Sequence, residues 1–222
     1  PVITTNPSGG VGSVWFNQTS GEGYVCTDAT AGENIWINVG DGTDNIEPST
    51  LPRQGTQYGY HWGNNPRVTT IQKYSYTSGA DAVDTTADLL EALSWGSDNT
   101  CSLTHGYCAG HQNGNPTNYN SNIIQKWPFA SSSNATDVGN LSSGIYGAAG
   151  AANQDYGYTQ GGGQSGPKIN EVQRFSFSSD GDATDFGDIS VTRAHASSSM
   201  SKTHGYAAGG HDTTPTFSNV ID

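Results

Sequence analysis

The sequence predicts an all-β protein made of tandem units of about fifty residues, preceded by a small N-terminal β-meander. Three observations carry this. A Gly-Tyr dipeptide recurs at Gly59-Tyr60, Gly106-Tyr107, Gly157-Tyr158 and Gly205-Tyr206, so its glycines fall 47, 51 and 48 residues apart. A strand with alternating aromatics follows each of the first three copies. Gly alone accounts for 30 of 222 residues, Ser, Thr, Asn and Asp are abundant, and helix formers never run long. Only Thr86 to Leu93, with leucines at 89, 90 and 93, has helical character.

Residues 1–47 stand outside the repeat. Ser13-Val14-Trp15-Phe16-Asn17 and Gly23-Tyr24-Val25-Cys26-Thr27-Asp28 read as strands joined by a turn at Gly21. Asn34-Ile35-Trp36-Ile37-Asn38-Val39 adds a third, closed by Gly40-Asp41-Gly42. Together they predict a three-stranded meander.

From residue 48 to 222 each unit carries three blocks in one order. Small residues and Gly follow the Gly-Tyr, as in Cys108-Ala109-Gly110 and Ala207-Ala208-Gly209-Gly210. Next come Ile71-Gln72-Lys73-Tyr74-Ser75-Tyr76, Ile124-Gln125-Lys126-Trp127-Pro128-Phe129 and Val172-Gln173-Arg174-Phe175-Ser176-Phe177. Their period of two puts both aromatics on one face, against a neighbouring sheet, and the aliphatic and basic residues on the other. Polar turns follow at Asp81-Ala82-Val83-Asp84, Asn134-Ala135-Thr136-Asp137 and Asp182-Ala183-Thr184-Asp185, where Asp and Asn can bond nearby amides. Leu89, Leu141 and Ile189 come after them.

A double-glycine strand, an aromatic strand, a turn and a segment such as Ile189-Ser190-Val191-Thr192-Arg193-Ala194-His195 together resemble the kelch repeat over about Leu51 to Asp222. The resemblance implies four-stranded blades arranged around an axis. It departs from the family in lacking a Trp at a fixed late position. Asn219-Val220-Ile221-Asp222 aligns with Asn122-Ile123-Ile124-Gln125, so the sequence stops within a fourth repeat. Continuation beyond Asp222 is the favoured expectation, completion by another subunit the alternative. The run Val14 to Glu22 with Tyr24-Val25-Cys26-Thr27-Asp28 and Trp36 resembles a short module of tailed-phage appendage proteins. That likeness implies an attachment role for residues 1–47 and display of the repeats. Pro1 fits removal of an initiator Met.

Charge narrows the partners. Eight basic residues against 20 acidic give a net charge of −12, which repels phosphate backbones and anionic membrane surfaces. No apolar run approaches the ~20 residues of a membrane span. Mean hydropathy is −0.57, but regularly spaced aromatics (5 Trp, 11 Tyr, 6 Phe) argue against disorder. Cys26, Cys101 and Cys108 make an odd count. Taken as one extended segment, Cys101 and Cys108 stand too far apart to bond, so three thiols are expected, as in a chain made in a reducing host cytoplasm.

Chemistry-bearing residues fall mostly on repeat positions. His105, His111, His204 and His211 flank Gly-Tyr strands and suggest a metal site. Tyr58 and Tyr156 occupy the places of His105 and His204, which favours packing. Asp180, Asp182, Asp185 and Asp188 resemble a calcium loop but lie on or beside the repeated turn. Lys73, Lys126 and Arg174 either line a groove for an anion or, as favoured, pair with Asp84, Asp137 and Asp185. No G-x-S-x-G, H-E-x-x-H or P-loop pattern is present, and neither cofactor, metal nor catalysis is expected. Some kelch-like proteins are copper oxidases, yet nothing marks their Tyr, His and Cys-linked Tyr here.

Trp62, Trp95, Tyr119 and Tyr146 lie in or beside loops, where rings with polar neighbours suit sugar stacking. Packing between blades is the alternative for each. The resulting expectation is a virion structural protein, a tail fibre or receptor-binding appendage that displays a propeller to a host-surface glycan. It would form a homo-oligomer and attach to other virion proteins through residues 1–47. A capsid decoration or knob protein, or a secreted lectin-like kelch protein, are the alternatives.

Overall fold

The computed structural model describes residues 7–18, 21–30, 34–40, 57–63, 66–94, 100–114, 120–164, 166–201, 203–212 and 216–222. The chain divides into two compact units, Pro1–Thr50 and Leu51–Asp222. Among the described residues there are sixteen strands and no helix.

In the first unit β1 (Val14–Phe16), β2 (Gly23–Asp28) and β3 (Ile35–Gly40) form an antiparallel meander in that order. Val25 sits opposite both Val14 and Ile37, so these three share a face with Phe16 and Val39. Val14, Phe16, Ile37 and Val39 are each more than half exposed. Cys26 is buried.

The second unit is a series of antiparallel meanders. The first sheet joins β4 (Tyr58–Trp62), β5 (Val68–Ser75) and β6 (Val83–Leu93). The second runs from β7 (Thr100–Cys101) through β8 (His105–Gln112) and β9 (Asn120–Pro128) to β10 (Thr136–Asn140). The third comprises β11 (Ala149–Ala152), β12 (Tyr156–Gly163), β13 (Lys168–Ser176) and β14 (Thr184–Asp188). A fourth holds β15 (Ser197–Met200) and β16 (Gly205–Ala208), with single bridges from Ala208 to Ile221 and from His211 to Phe217.

Each core cluster spans two consecutive sheets. Ile71, Leu89 and Leu93 of the first meet Cys108 and Trp127 of the second. Tyr107, Ile124, Leu141 and Ile145 then meet Ala148 and Phe175 of the third. Ile189 and Ala149 meet Ala207 of the fourth. Fully burying one such aliphatic side chain stabilises by about 1.5–3 kcal/mol.

Two glycine positions explain the Gly-Tyr signature. A Cβ on Gly59, Gly106 or Gly157 would run into the ring of Tyr74, Trp127 or Phe175, which lies across it from the next strand. Four residues on, Gly63, Gly110, Gly161 and Gly209 hold φ between 67° and 72°, the left-handed region that favours glycine. In the second and third sheets this is where a bulge shifts the register.

A polar seal repeats at the junctions. The Leu90 amide donates to Gln125 Oε1 at 2.7 Å, the Ser142 amide to Gln173 Oε1 at 2.7 Å, and the Ser190 amide to Asp222 Oδ1 at 2.8 Å. Gln125 and Gln173 are completely buried. Gln72 holds the same repeat position on the first sheet and is exposed. The turns reach back as well: Asn134 Oδ1 accepts the Asp88 amide and Asp182 Oδ1 the Asn140 amide. The amides of Ala135 and Ala183 donate to the carbonyls of Asp88 and Asn140, both at 2.8 Å.

Several expectations need correction. Residues 86–93 are strand, because leucines four apart satisfy a period of two as well as a helical one, and Ala87, Leu89 and Leu93 all face inward. The polar blocks are turns only in their first halves. Asp84, Asp137 and Asp185 lie within strands and accept the amides of Thr86, Gly139 and Gly187 at bulges. These carboxylates face Gln72, Gln125 and Gln173 across the ladder, one position off the basic residues and thus on the other face. Lys73 instead lies over the Tyr58 ring at 5.1 Å and Arg174 between Tyr156 and Phe186 at 4.5 and 4.7 Å. Lys126 pairs with Asp180 at 2.5 Å. Cys101 and Cys108 lie on adjacent antiparallel strands rather than one segment, and no disulfide joins the three cysteines.

Candidate functional site

The segment entering each of the last three sheets clips to the end of that sheet's Gly-rich strand. Ser94 bridges Gln112, Tyr146 bridges Gly163, and Ala194 bridges His211. All three clips occupy one repeat position, so the side chains beside them gather at equivalent ends of successive sheets.

At the last two clips the gathering becomes a row of rings. Tyr146 and His195 have centroids 5.6 Å apart, His195 and His211 stack at 5.4 Å with planes 21° apart, and His211 meets Phe217 edge-on at 6.5 Å. Phe217 is 84% exposed. Lys168 Nζ lies 4.9 Å over the Tyr146 ring and donates to its hydroxyl at 2.8 Å. Nearby, Gln164 Nε2 donates to Ser143 Oγ at 2.7 Å.

His195 is held in an uncommon backbone state, with φ of 56°. Its amide donates to the Gly147 carbonyl at 2.6 Å, and its ring fills the space a Cβ on Gly147 would take. Non-glycine residues in this region cost of order 1 kcal/mol and concentrate at functional sites. Desolvation, then the neighbouring His211 and Lys168, push the His195 pKa below its ordinary value. At neutral pH its imidazole is therefore uncharged, a polar ring face with one donor and one acceptor nitrogen.

The four aromatic candidates part ways. Trp62 is half-buried and packs edge-on against Trp127 at 4.7 Å, a junction contact. Tyr146 belongs to the ring row. Trp95 and Tyr119 lie outside the described residues. His195 and Phe217 were not singled out in the sequence. His195 breaks the repeat register at a position where Gly147 stands one unit earlier, and that was the available signal.

His111, His105 and His204 have local partners. His111 is buried, and its Nε2 donates to Glu91 Oε2 at 2.8 Å across the first junction. Burial lowers its pKa, against the pull of Glu91, so the ring is neutral. Thr104 and Thr203 hydroxyls bond Nδ1 of His105 and His204, both at 2.8 Å. Desolvation first, and then Lys126, lower the His105 pKa. No group of three or more metal-ligating side chains occurs among the described residues. Asp182 and Asp185 spend their oxygens on backbone amides, and Asp180 pairs with Lys126.

Compared with known proteins, the sequence matches no family model and no curated protein.

Proposed function

We propose that the repeat units are kelch-like blades of a β-propeller, and that the chain is a tailed-phage virion component whose junction loops bind a host-surface glycan. In this reading the protein is a tail fibre or receptor-binding appendage with no catalytic role. The ring row carries the glycan part: Tyr146, His195, His211 and Phe217 form a continuous row of rings flanked by Lys168 and Gln164. Sugar rings stack on such faces while their hydroxyls take the polar neighbours. Consecutive four-stranded meanders with a Gly-rich second strand support the kelch-like arrangement. The exposed apolar face of the N-terminal sheet supports attachment to other virion proteins, since such faces mark interaction sites.

A glycan array probed with the intact protein tests the binding. The reading expects a defined glycan class to bind, and Tyr146→Ala or Phe217→Ala to weaken it about tenfold. An array with no binder contradicts the glycan assignment. Mass spectrometry of particles tests the location: a few copies relative to coat protein fit an appendage. A count in step with coat protein would replace it with capsid decoration.

A further inference from the structure

Three backbone segments run side by side at each clip, and the residues they bring together differ from sheet to sheet. Ser94 bridges Gln112, which pairs with Asn120. Ala194 bridges His211, which bridges Phe217. At the third sheet, whose four strands are all described, the places belong to Tyr146, Gly163 and Lys168. The middle residue decides what the outer two can do. A Cβ on Gly163 would lie 2.6 Å from the Tyr146 ring. With no side chain there, Tyr146 and Lys168 reach across the strand, and the ammonium donates to the phenol oxygen at 2.8 Å. Among the described clips this is the one that sets a cation against a phenol.

The phenol oxygen accepts from Lys168, so its own proton points away from the ammonium. Phenol O–H and ammonium N–H are thus neighbouring donors. A carboxylate spans such a pair with its two oxygens, and hydrogen bonds between ionised groups are about twice as strong as neutral ones. Two carboxylates nearby in the chain have partners of their own. Glu171 accepts the Ser142 hydroxyl at 3.2 Å, and Asp212 accepts the Thr216 amide at 3.1 Å. His195 completes the setting. Its ring centroid lies 5.6 Å from that of Tyr146, and desolvation, then His211 and Lys168, keep the imidazole uncharged.

We propose that the glycan bound at the ring row carries a carboxylate, as a uronic-acid-type sugar does, and that Lys168 with the Tyr146 hydroxyl selects it. The pyranose face lies on the His195 ring and the carboxylate turns toward Lys168, an assignment that rests on the glycan reading of the same site. With a net charge of −12 the chain repels anions at long range, so holding one depends on donors at the contact itself. Tyr146, Lys168 and His195 all lie in the third sheet or in the segments entering and leaving it.

The probes are methyl β-glucuronide and methyl β-glucoside, which differ only in a carboxylate against a hydroxymethyl group. Each is titrated into the full chain at neutral pH and followed by amide NMR at Gly147, Gly163, Lys168 and His195. The glucuronide should bind about tenfold more tightly than the glucoside. Lys168→Met should bring the two to the same affinity, while Lys168→Arg should keep a preference for the acid. Added salt should narrow the gap. A glucoside that binds as tightly as the glucuronide overturns the carboxylate assignment and leaves the glycan reading standing. Silence of those amides toward both sugars overturns the two together. Acetate is the third probe: shifts as large as those of the glucuronide would mark a plain anion site and overturn the assignment as well.

Discussion

At the junction between the second and third sheets, Ile145 is completely buried and Gln173 reaches back to the Ser142 amide. One unit on, Arg193 stands where Ile145 stood and Asp222 where Gln173 stood. Arg193 is equally buried, and donates to the carbonyls of Gly209, Val220 and Ala207 and to the Asp222 carboxylate. Asp222 still accepts the Ser190 amide. The backbone plan is thus constant while the side chains change from an aliphatic–amide pair to a buried ion pair. The difference teaches that the repeat specifies a backbone acceptor at each junction and leaves the chemistry that fills the neighbouring space free to vary.

Exchanging the two chemistries gives the largest effect. Asp222→Gln alone strands a guanidinium that is 1% exposed, and should destabilise the last unit by about 3–5 kcal/mol. Adding Arg193→Ile recreates the Ile145–Gln173 pairing and should recover most of that loss. A double variant as unstable as the single, by urea unfolding followed at Tyr206, would show that the two junctions are not interchangeable. A smaller effect separates the junctions by pH. Burial lowers the His111 pKa from 6.5, so its contribution is complete above pH 6.5 and falls away as pH drops from there toward the folded value. Burial alone would raise the Asp222 carboxyl, but the Ser190 hydrogen bonds and Arg193 together hold it below 3.8. Its contribution is therefore present above pH 3.8 and lost only as pH falls through that lower folded value. Between pH 6.5 and 4.5 the protection factors, with the intrinsic pH dependence of exchange divided out, should fall at Ser94 and Gln112, beside His111, and stay constant at Ala207 and Asp222. Equal loss of protection at both would contradict this assignment.

Much of the strand architecture was legible because its causes are local. Gly-Tyr spacing and alternating aromatics each act within a few residues, and the meander of β1 to β3 was readable from Trp15, Tyr24 and Trp36 in the same way, whereas Asp84, Asp137 and Asp185 read as turn residues and lie at strand bulges. What stayed hidden depends on the next sheet. Gln72, Gln125 and Gln173 look like one polar position in the sequence, yet Gln125 and Gln173 are fully buried, where they accept the Leu90 and Ser142 amides of the sheet before them, and Gln72 is exposed. Lys73 and Arg174 were matched to carboxylates by charge, whereas the pleat turned those carboxylates away and left aromatic rings as neighbours. Trp62 resembled a surface platform for the same reason: its partner, Trp127, is 65 residues away. His195 was invisible as a site residue because its importance lies in a backbone angle and in rings from the next unit.

The repeated seal is most directly tested by hydrogen exchange at the Leu90, Ser142 and Ser190 amides in the wild type and in Gln173→Leu. All three should exchange slowly in the wild type. The substitution removes the acceptor of the Ser142 amide, a loss of about 0.5–1.5 kcal/mol, and should speed Ser142 about two- to tenfold while Leu90 and Ser190 hold. Unchanged exchange at Ser142, or equal acceleration at all three, would contradict a seal built junction by junction.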